Sequence, residues 1–242
     1  MKPIPAIDLL EGKVVRLQQG DYRSPTVYYD NPIDAARIFA DAGIQELHIV
    51  DLNGAKEGQF SNLNKIEQIA SQTGLTIQSG GGVRKFEDAR LLMDSGVSRV
   101  VCSSMAAKQP ADFEKLISLN NGDHAVLGLD IKDGSFAYGG WLDTSEGSYH
   151  EIIEQFLSSG LKYVLSTDIS RDGMMEGPNM VLYKELIQHY PDLYIIASGG
   201  VANVSDLEDL SRLPIYGVIV GKAYYENYIS LDDLINFDKT NR

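Results

Sequence analysis

Eight short apolar runs, segments of helical spacing between them, and motifs that recur in the two halves of the 242-residue chain predict an α/β fold. The form they predict is a (β/α)8 TIM barrel with an internal half-barrel pseudo-repeat. The runs are "IPAID" (4–8), "ELHIVD" (46–51), "LTIQS" (75–79), "RVVCS" (99–103), "AVLGLD" (125–130), "YVLSTD" (163–168), "LYIIAS" (193–198) and "YGVIVG" (216–221). Each is too short for a stable helix, and several are β-branched and apolar throughout, as parallel strands buried on both faces are.

The helices between them carry their own stops and starts. "NPIDAARIFADAG" offers Asn31 as an N-cap, Pro32 at the first helical position and Gly43 past the end. "KFEDARLLMDSG" ends on Gly96 and "YHEIIEQFLSSG" on Gly160, while "NVSDLEDLSRL" opens with a polar cap. A doubly wound open sheet shows the same alternation. The two halves, however, echo each other at a separation of about 120 residues: Asp8 and Gly12 recur as Asp130 and Gly134, Gly58 as Gly177, and "GGV" ending at Val83 as "GGV" ending at Val201. Four similar units followed by four more close a barrel, whereas an open sheet has no reason to repeat. Nothing reads as a linker, so residues 1–242 are expected to form one domain.

Composition excludes several classes of function. The formal net charge is −13, so the surface repels nucleic acid and anionic lipid. No nucleic-acid or membrane partner is expected. An anionic ligand then needs a local positive site. A single cysteine, Cys102, leaves no internal disulfide or multi-cysteine zinc site, and its simplest reading is a small buried residue. No apolar run approaches the roughly 18 residues of a membrane span. The opening "MKPIPAIDLLEGK" has no signal-peptide core, and a cytoplasmic location is expected.

In such a barrel the chemistry lies at the C-terminal ends of the strands. The polar residues there are Asp8, Asp51, Ser79, Ser103, Asp130, Thr167 with Asp168, and Ser198; Gly221 ends the last run and Asp172 follows the sixth in "SRDG". Asp8 and Asp130 end strands one and five, on opposite sides of the barrel. Carboxylates facing one another across a site suit general acid and base work when their pKa values are pushed apart. The four histidines, His48, His124, His150 and His189, show no metal-ligand spacing, and no metal is expected. His48, near a strand end, reads equally as a hydrogen-bonded strand residue and as a substrate contact.

Two glycine turns carry a stronger signal. "GGGVR" follows the third run and "GGV" the seventh, and each exposes backbone N–H groups with no Cβ in the way. Gly81 and Gly82 neighbour Ser103 and Ser104 of "CSSMA". Gly199 and Gly200 neighbour Gly221 and Lys222 of "GKAYY". The loops after strands seven and eight form the recurrent phosphate site of this fold, and the repeat predicts a second one after strands three and four. A ligand with a phosphate at each end fits two such turns. Arg16 and Arg84 are surface charges or fork-like donors to it. Trp141, in the glycine-rich "YGGWLD", is an incidental loop aromatic or a stacking partner for a flat ring.

The motifs "PAIDLLEGKVVRLQQGDY", "HIVDLNGAKEG", "SGGGVR", "GLDIKDG", "TDISRDGMMEGPN", "ASGGV" and "GKAYYE" resemble, over essentially the whole chain and in order, the histidine-biosynthesis isomerases that act on phosphoribosylformimino-aminoimidazole carboxamide ribotide. The resemblance implies an Amadori rearrangement of an aminoaldose to an aminoketose, with no metal or organic cofactor. It implies Asp8 as general base and Asp172 as general acid, with Asp130 and Thr167 in support. Gly20 of "LQQGDY" and Gly173 of "SRDG" are expected at the substrate, beside Arg16, His48, Arg84 and Trp141. The partner it implies is a small bis-phosphorylated ribotide, and a monomer is expected. The chain departs from the family at "CSSMA", where a Gly-Thr pair is common, although serine still offers a hydroxyl and an N–H. A non-catalytic phosphate-ligand binding protein on the same barrel is the alternative class of function.

Overall fold

The computed structural model describes residues 1–18 and 21–240. Its strands are β1 (Lys2–Leu10), β2 (Lys13–Gln18), β3 (Asp21–Tyr29), β4 (Glu46–Asp51), β5 (Thr76–Gly80), β6 (Arg99–Cys102), β7 (Ala125–Lys132), β8 (Ser135–Tyr138), β9 (Asp143–Thr144), β10 (Tyr163–Asp168), β11 (Tyr194–Ser198) and β12 (Gly217–Val220). Among the described residues, β1, β4, β5, β6, β7, β10, β11 and β12 pair in parallel in that order, and β12 returns to β1. The sheet is therefore a closed barrel with helices between successive barrel strands, as the sequence predicts.

Alternation along each strand explains why the runs look apolar throughout. Ile4, Ala6, Val126, Leu165, Ile196 and Ile219 point inward and fill the barrel. Their sequence neighbours, such as Ile7, Leu127, Val164, Ile195 and Val220, point outward into the larger core beneath the helices. Both faces are dry, so the barrel strands are mainly apolar between their ends. At the N-terminal end Glu46 receives Lys2, Arg99 and the Tyr216 hydroxyl, a charged plug that closes the bottom. At the other end the inward rows run into Asp8, Asp130, Thr167, Ser198 and Gly221, which line an open mouth.

The extra strands were not predicted. β2 and β3 form an antiparallel hairpin that folds back on β1, and β8 and β9 do the same on β7. Each return begins at a two-residue turn with both residues left-handed: Glu11 and Gly12 (φ 51° and 78°), then Asp133 and Gly134 (φ 50° and 80°). The two hairpins occupy equivalent positions in the half-barrels. The helix Pro32–Asp41 does start on proline, but Asn31 makes no side-chain cap. Its amide donates to Asp34 Oδ2 at 3.1 Å instead. Asn203 does cap its helix, accepting from the N–H groups of Ser205 and Asp206. No helix among the described residues is long and apolar enough to cross a membrane.

Candidate active site

The barrel mouth encloses a cavity of about 1020 Å³. Asp8, Asp130, Thr167 and Asp172 line it, together with Arg16, His48, Gly81, Gly82, Arg84, Ser103, Ser104, Trp141, Gly173, Gly199, Gly200, Gly221 and Lys222. Gly20, also expected there, lies outside the described residues. Three of the polar strand-end residues singled out from the sequence, Asp51, Ser79 and Asp168, do not line the cavity. Asp51 is fully buried and accepts from Gly54 N at 3.0 Å and Asn62 Nδ2 at 2.7 Å. Asp168 accepts from Ser170 N at 3.0 Å and Asn179 Nδ2 at 2.7 Å. Both aspartates fasten the loop that follows their own strand, one in each half-barrel.

The hairpin return places Arg16 one residue beyond Val15, which pairs with Asp8. Its guanidinium reaches Asp8 Oδ2 at 3.3 Å with Nη1, and Asp172 at 3.1 and 3.2 Å with Nη2. Gly173 and Gly221 lie against the same guanidinium, and a Cβ on Gly173 would crowd it. One cation thus holds two carboxylates that are far apart in sequence. Burial raises the pKa of Asp8 above its ordinary value; Arg16 pulls it down and Asp172 adds to the rise.

Asp130 sits opposite, in register with Thr167. Burial pushes its pKa up to about 6, against hydrogen bonds from the Trp141 indole and the Thr167 hydroxyl, while the Asp172 charge adds to the rise. Trp141 is therefore more than a loop aromatic: its N–H is spent on a carboxylate at the mouth. It is held at φ 69° after Gly139 and Gly140, both also left-handed. His48 is buried, and burial lowers its pKa to about 4, so it is neutral at physiological pH. Its Nδ1 is 3.1 Å from Gln78 Nε2. A donor amide there leaves Nε2–H as the ring's remaining donor, and the residue lines the cavity, so the two readings of His48 combine.

The two glycine turns lie on the mouth side of the barrel. Gly81 and Gly82 (φ 100° and 87°) and Gly199 and Gly200 (φ 87° and 84°) are all left-handed. A Cβ on Gly82 would overlap the carbonyl of Gly54, and one on Gly200 would overlap the carbonyl of Gly177. The turns are therefore fixed by close backbone packing in the same way in both halves. Around the first turn stand Arg84, Ser103, Ser104 and Lys108; around the second, Gly221 and Lys222. Ser104 Oγ accepts from Gly139 N at 3.1 Å, and Lys108 Nζ donates to Asp143 Oδ2 at 2.8 Å. Both contacts tie the Trp141 loop to the rim of the first turn. Lys222 Nζ donates to the carbonyl of Gly173 at 2.9 Å. Both glycine turns and several cationic side chains thus lie at the mouth of an acidic protein.

Sequence reasoning missed Lys108, Lys56, Tyr22 and Met175, which also line the cavity. Lys108 lies five residues beyond Ser103, one turn into a short helix, a spacing that could have suggested it. Cys102 is buried, as read from the sequence, and burial raises its thiol pKa far above the ordinary value, so it is no nucleophile. The histidines also behave differently from expectation: His150 and His189 come together with Glu185 on the outside of the barrel.

Comparison with known proteins agrees with this geometry. The family described as histidine biosynthesis protein matches residues 3–230. A Cytophaga hutchinsonii protein is 42% identical over 235 residues, covering 97% of this chain and 98% of its own. A Bacteroides thetaiotaomicron protein is 43% identical over 231 residues, covering 96% and 97%. A Francisella philomiragia protein is 44% identical over 239 residues, covering 97% and 99%. Each relative is named 1-(5-phosphoribosyl)-5-((5-phosphoribosylamino)methylideneamino)imidazole-4-carboxamide isomerase.

Proposed function

The chain belongs to the histidine biosynthesis protein family, and from that premise we propose that it is the isomerase its relatives are named for, acting on an imidazole carboxamide that carries two phosphoribosyl groups. The observation that carries this reading is Arg16 bridging Asp8 and Asp172 in a mouth that both glycine turns also line. Two anion sites suit a ligand with a phosphate at each end, and two carboxylates suit proton transfer at its middle.

The reaction converts an aminoaldose to an aminoketose. Asp172, protonated, gives its proton to the ribose ring oxygen, and the C1–O bond breaks to leave a Schiff base at C1. Asp8, ionised, removes the proton from C2, and the electron pair moves to form an enolamine. Asp8 then returns its proton to C1, the C2 hydroxyl proton passes to Asp172, and the ketone results with both carboxyls restored. Arg16 favours the Asp8 anion while burial and the Asp172 charge disfavour it, and the net rise in pKa makes Asp8 a stronger base than an ordinary aspartate. Asp130 and Thr167 hold the opposite wall, and Trp141, fixed through Asp130, offers its ring face to the imidazole. His48 presents a neutral donor. Gly81, Gly82, Arg84, Ser103, Ser104 and Lys108 take one phosphate; Gly199, Gly200, Gly221 and Lys222 take the other, beside Gly173. The chain works as a single-domain, cytoplasmic monomer that needs no metal or organic cofactor for this chemistry.

The test is a spectrophotometric assay of purified protein with the ribotide, coupled to the cyclase that uses its product. Asp8→Asn and Asp172→Asn should each lose at least about 10²-fold in kcat and still bind substrate. Ordinary turnover in either variant removes that residue from the mechanism. If Asp172→Asn alone stays active, Asp130 becomes the acid. Binding without turnover by the unaltered protein would leave a phosphate-ligand binding protein.

A further inference from the structure

Outside the barrel, the helices Tyr149–Leu157 and Met180–His189 bring together three residues that the isomerase chemistry does not use. One ligand-capable atom each from His150, Glu185 and His189 lies within 4.8 Å of the other two. Glu185 and His189 are one helical turn apart and share a face. His150 reaches across from the neighbouring helix, with Nε2 3.0 Å from Glu185 Oε1, and its ring centroid is 5.0 Å from that of His189. None of the three lines the mouth cavity.

The hydrogen bonds around them orient the two rings. His189 Nδ1 lies 2.9 Å from the carbonyl of Glu185. A carbonyl only accepts, so the ring proton sits on Nδ1 and Nε2 carries a lone pair. His150 Nδ1 lies 2.8 Å from the Tyr190 hydroxyl. A neutral His150 either accepts from that hydroxyl and donates Nε2–H to Glu185, or donates Nδ1–H to the hydroxyl and turns an Nε2 lone pair toward Glu185. In the second tautomer two imidazole lone pairs and a carboxylate oxygen face one another, which suits a cation among them. Without a metal ion, the first tautomer fills that place with a proton shared with Glu185.

Each imidazole has its remote nitrogen beside an oxygen that can accept from it, the Glu185 carbonyl for His189 and the Tyr190 hydroxyl for His150, which is how metal-binding histidines are oriented. We propose that His150, Glu185 and His189 form a binding site for a divalent transition-metal ion of the zinc class. Two imidazole nitrogens and one carboxylate oxygen suit zinc and neighbouring ions better than magnesium or calcium, and three protein ligands leave positions for water. The partial exposure of His150 and Glu185, 22% and 42% of their side chains, gives an ion access from solvent. Bound there, the ion clamps the two helices together and stabilises the fold without touching the mouth.

Protein freed of metal with a chelator is titrated with Zn²⁺, with Co²⁺ for its visible absorption, and with Mg²⁺ as control. The site binds one equivalent of Zn²⁺, Co²⁺ gives d–d bands, and Mg²⁺ does neither. At a Zn²⁺ concentration about 100 times the Kd, the unfolding equilibrium shifts about 100-fold toward the folded state. His189→Ala, at an exposed position, and Glu185→Gln both abolish the Co²⁺ bands and the stabilisation, and His189→Ala leaves isomerase turnover unchanged. Absence of saturable Zn²⁺ binding below about 100 μM would assign the shared cation to a proton and overturn the proposal. Equal binding by both variants would also overturn it, by moving the metal elsewhere on the chain.

Discussion

Asp130 offers the sharpest test of the site's electrostatics, because its cost is readable in stability as well as in turnover. Its pKa rises from 3.8 to about 6 on folding, mainly because burial penalises the charged form. Between those two values the folded state holds a proton that the unfolded chain has lost. Stability therefore falls as pH rises through that window, by roughly 1.36 kcal/mol per pH unit and about 3 kcal/mol in all. Asp130→Asn removes this term, because a neutral amide of the same shape carries no ionisation cost. It keeps an oxygen for the Trp141 indole or the Thr167 hydroxyl, and losing the other bond offsets part of the gain by about 1 kcal/mol at every pH. Relative to the parent, the variant should thus be slightly less stable at pH 3.5 and more stable by about 2 kcal/mol at pH 7.5. Urea unfolding at pH 3.5, 5, 6 and 7.5 measures the difference, and turnover of the same variant should fall. A stability difference that stays flat with pH would mean that Asp130 titrates alike in both states, and the account of a desolvated carboxyl would be wrong.

Other expectations follow from single contacts. Gly82→Ala and Gly200→Ala each force a Cβ into a backbone carbonyl at positive φ, so each should cost more than about 1 kcal/mol in denaturant unfolding and raise KM for the bis-phosphate; unchanged stability in both would refute the packing explanation of the turns. Lys108→Met breaks the ion pair to Asp143 and removes a cation from the first anion site. KM should rise about tenfold, the equivalent of one charge-assisted hydrogen bond, with kcat nearly kept; a normal KM would confine Lys108 to holding the loop. Trp141→Ala should lower kcat/KM with little change in melting temperature, and Trp141→Phe should recover the stacking but not the bond to Asp130.

The barrel strands were legible because burial on both faces leaves few polar residues between their ends, His48, Gln78 and Ser166 among them. The outer hairpins were not, because "KVVRLQ" and "DYRSPTVYY" mix charge with β-branched residues, and only β2 of the first hairpin pairs with the barrel. The available signals were the turn pairs Glu11-Gly12 and Asp133-Gly134, a left-handed two-residue hairpin connection in each half. The glycine turns were legible as local motifs, and their equivalence followed from the repeat. The loop fasteners Asp51 with Asn62 and Asp168 with Asn179 read as site residues because they end strands, and only burial shows that they serve the loops. Contacts between distant segments left no local trace. Arg16 meets Asp172 across 156 residues, and His150 meets Glu185 across 35.

The repeat also explains how similar scaffolds hold carboxyls with different tendencies. Asp8 and Asp130 end equivalent strands, and each is followed by a hairpin whose return strand pairs with it, Val15 opposite Asp8 and Ala137 opposite Asp130. The next residue along the return is Arg16 in the first half and Tyr138 in the second. Burial pushes both carboxyls up, but only Asp8 receives a guanidinium, which pulls back toward the anion. Asp130 has neutral donors alone, the indole and a hydroxyl, and is carried to about 6. Two carboxyls on matched strands thus have different partners, a guanidinium for Asp8 and neutral donors for Asp130, through one exchanged side chain. The same guanidinium continues past Asp8 to Asp172, which the second half supplies from the loop after β10. Arg16 is thus the point at which the symmetry of the barrel breaks, and the proposed base and acid both lie on its side of the break.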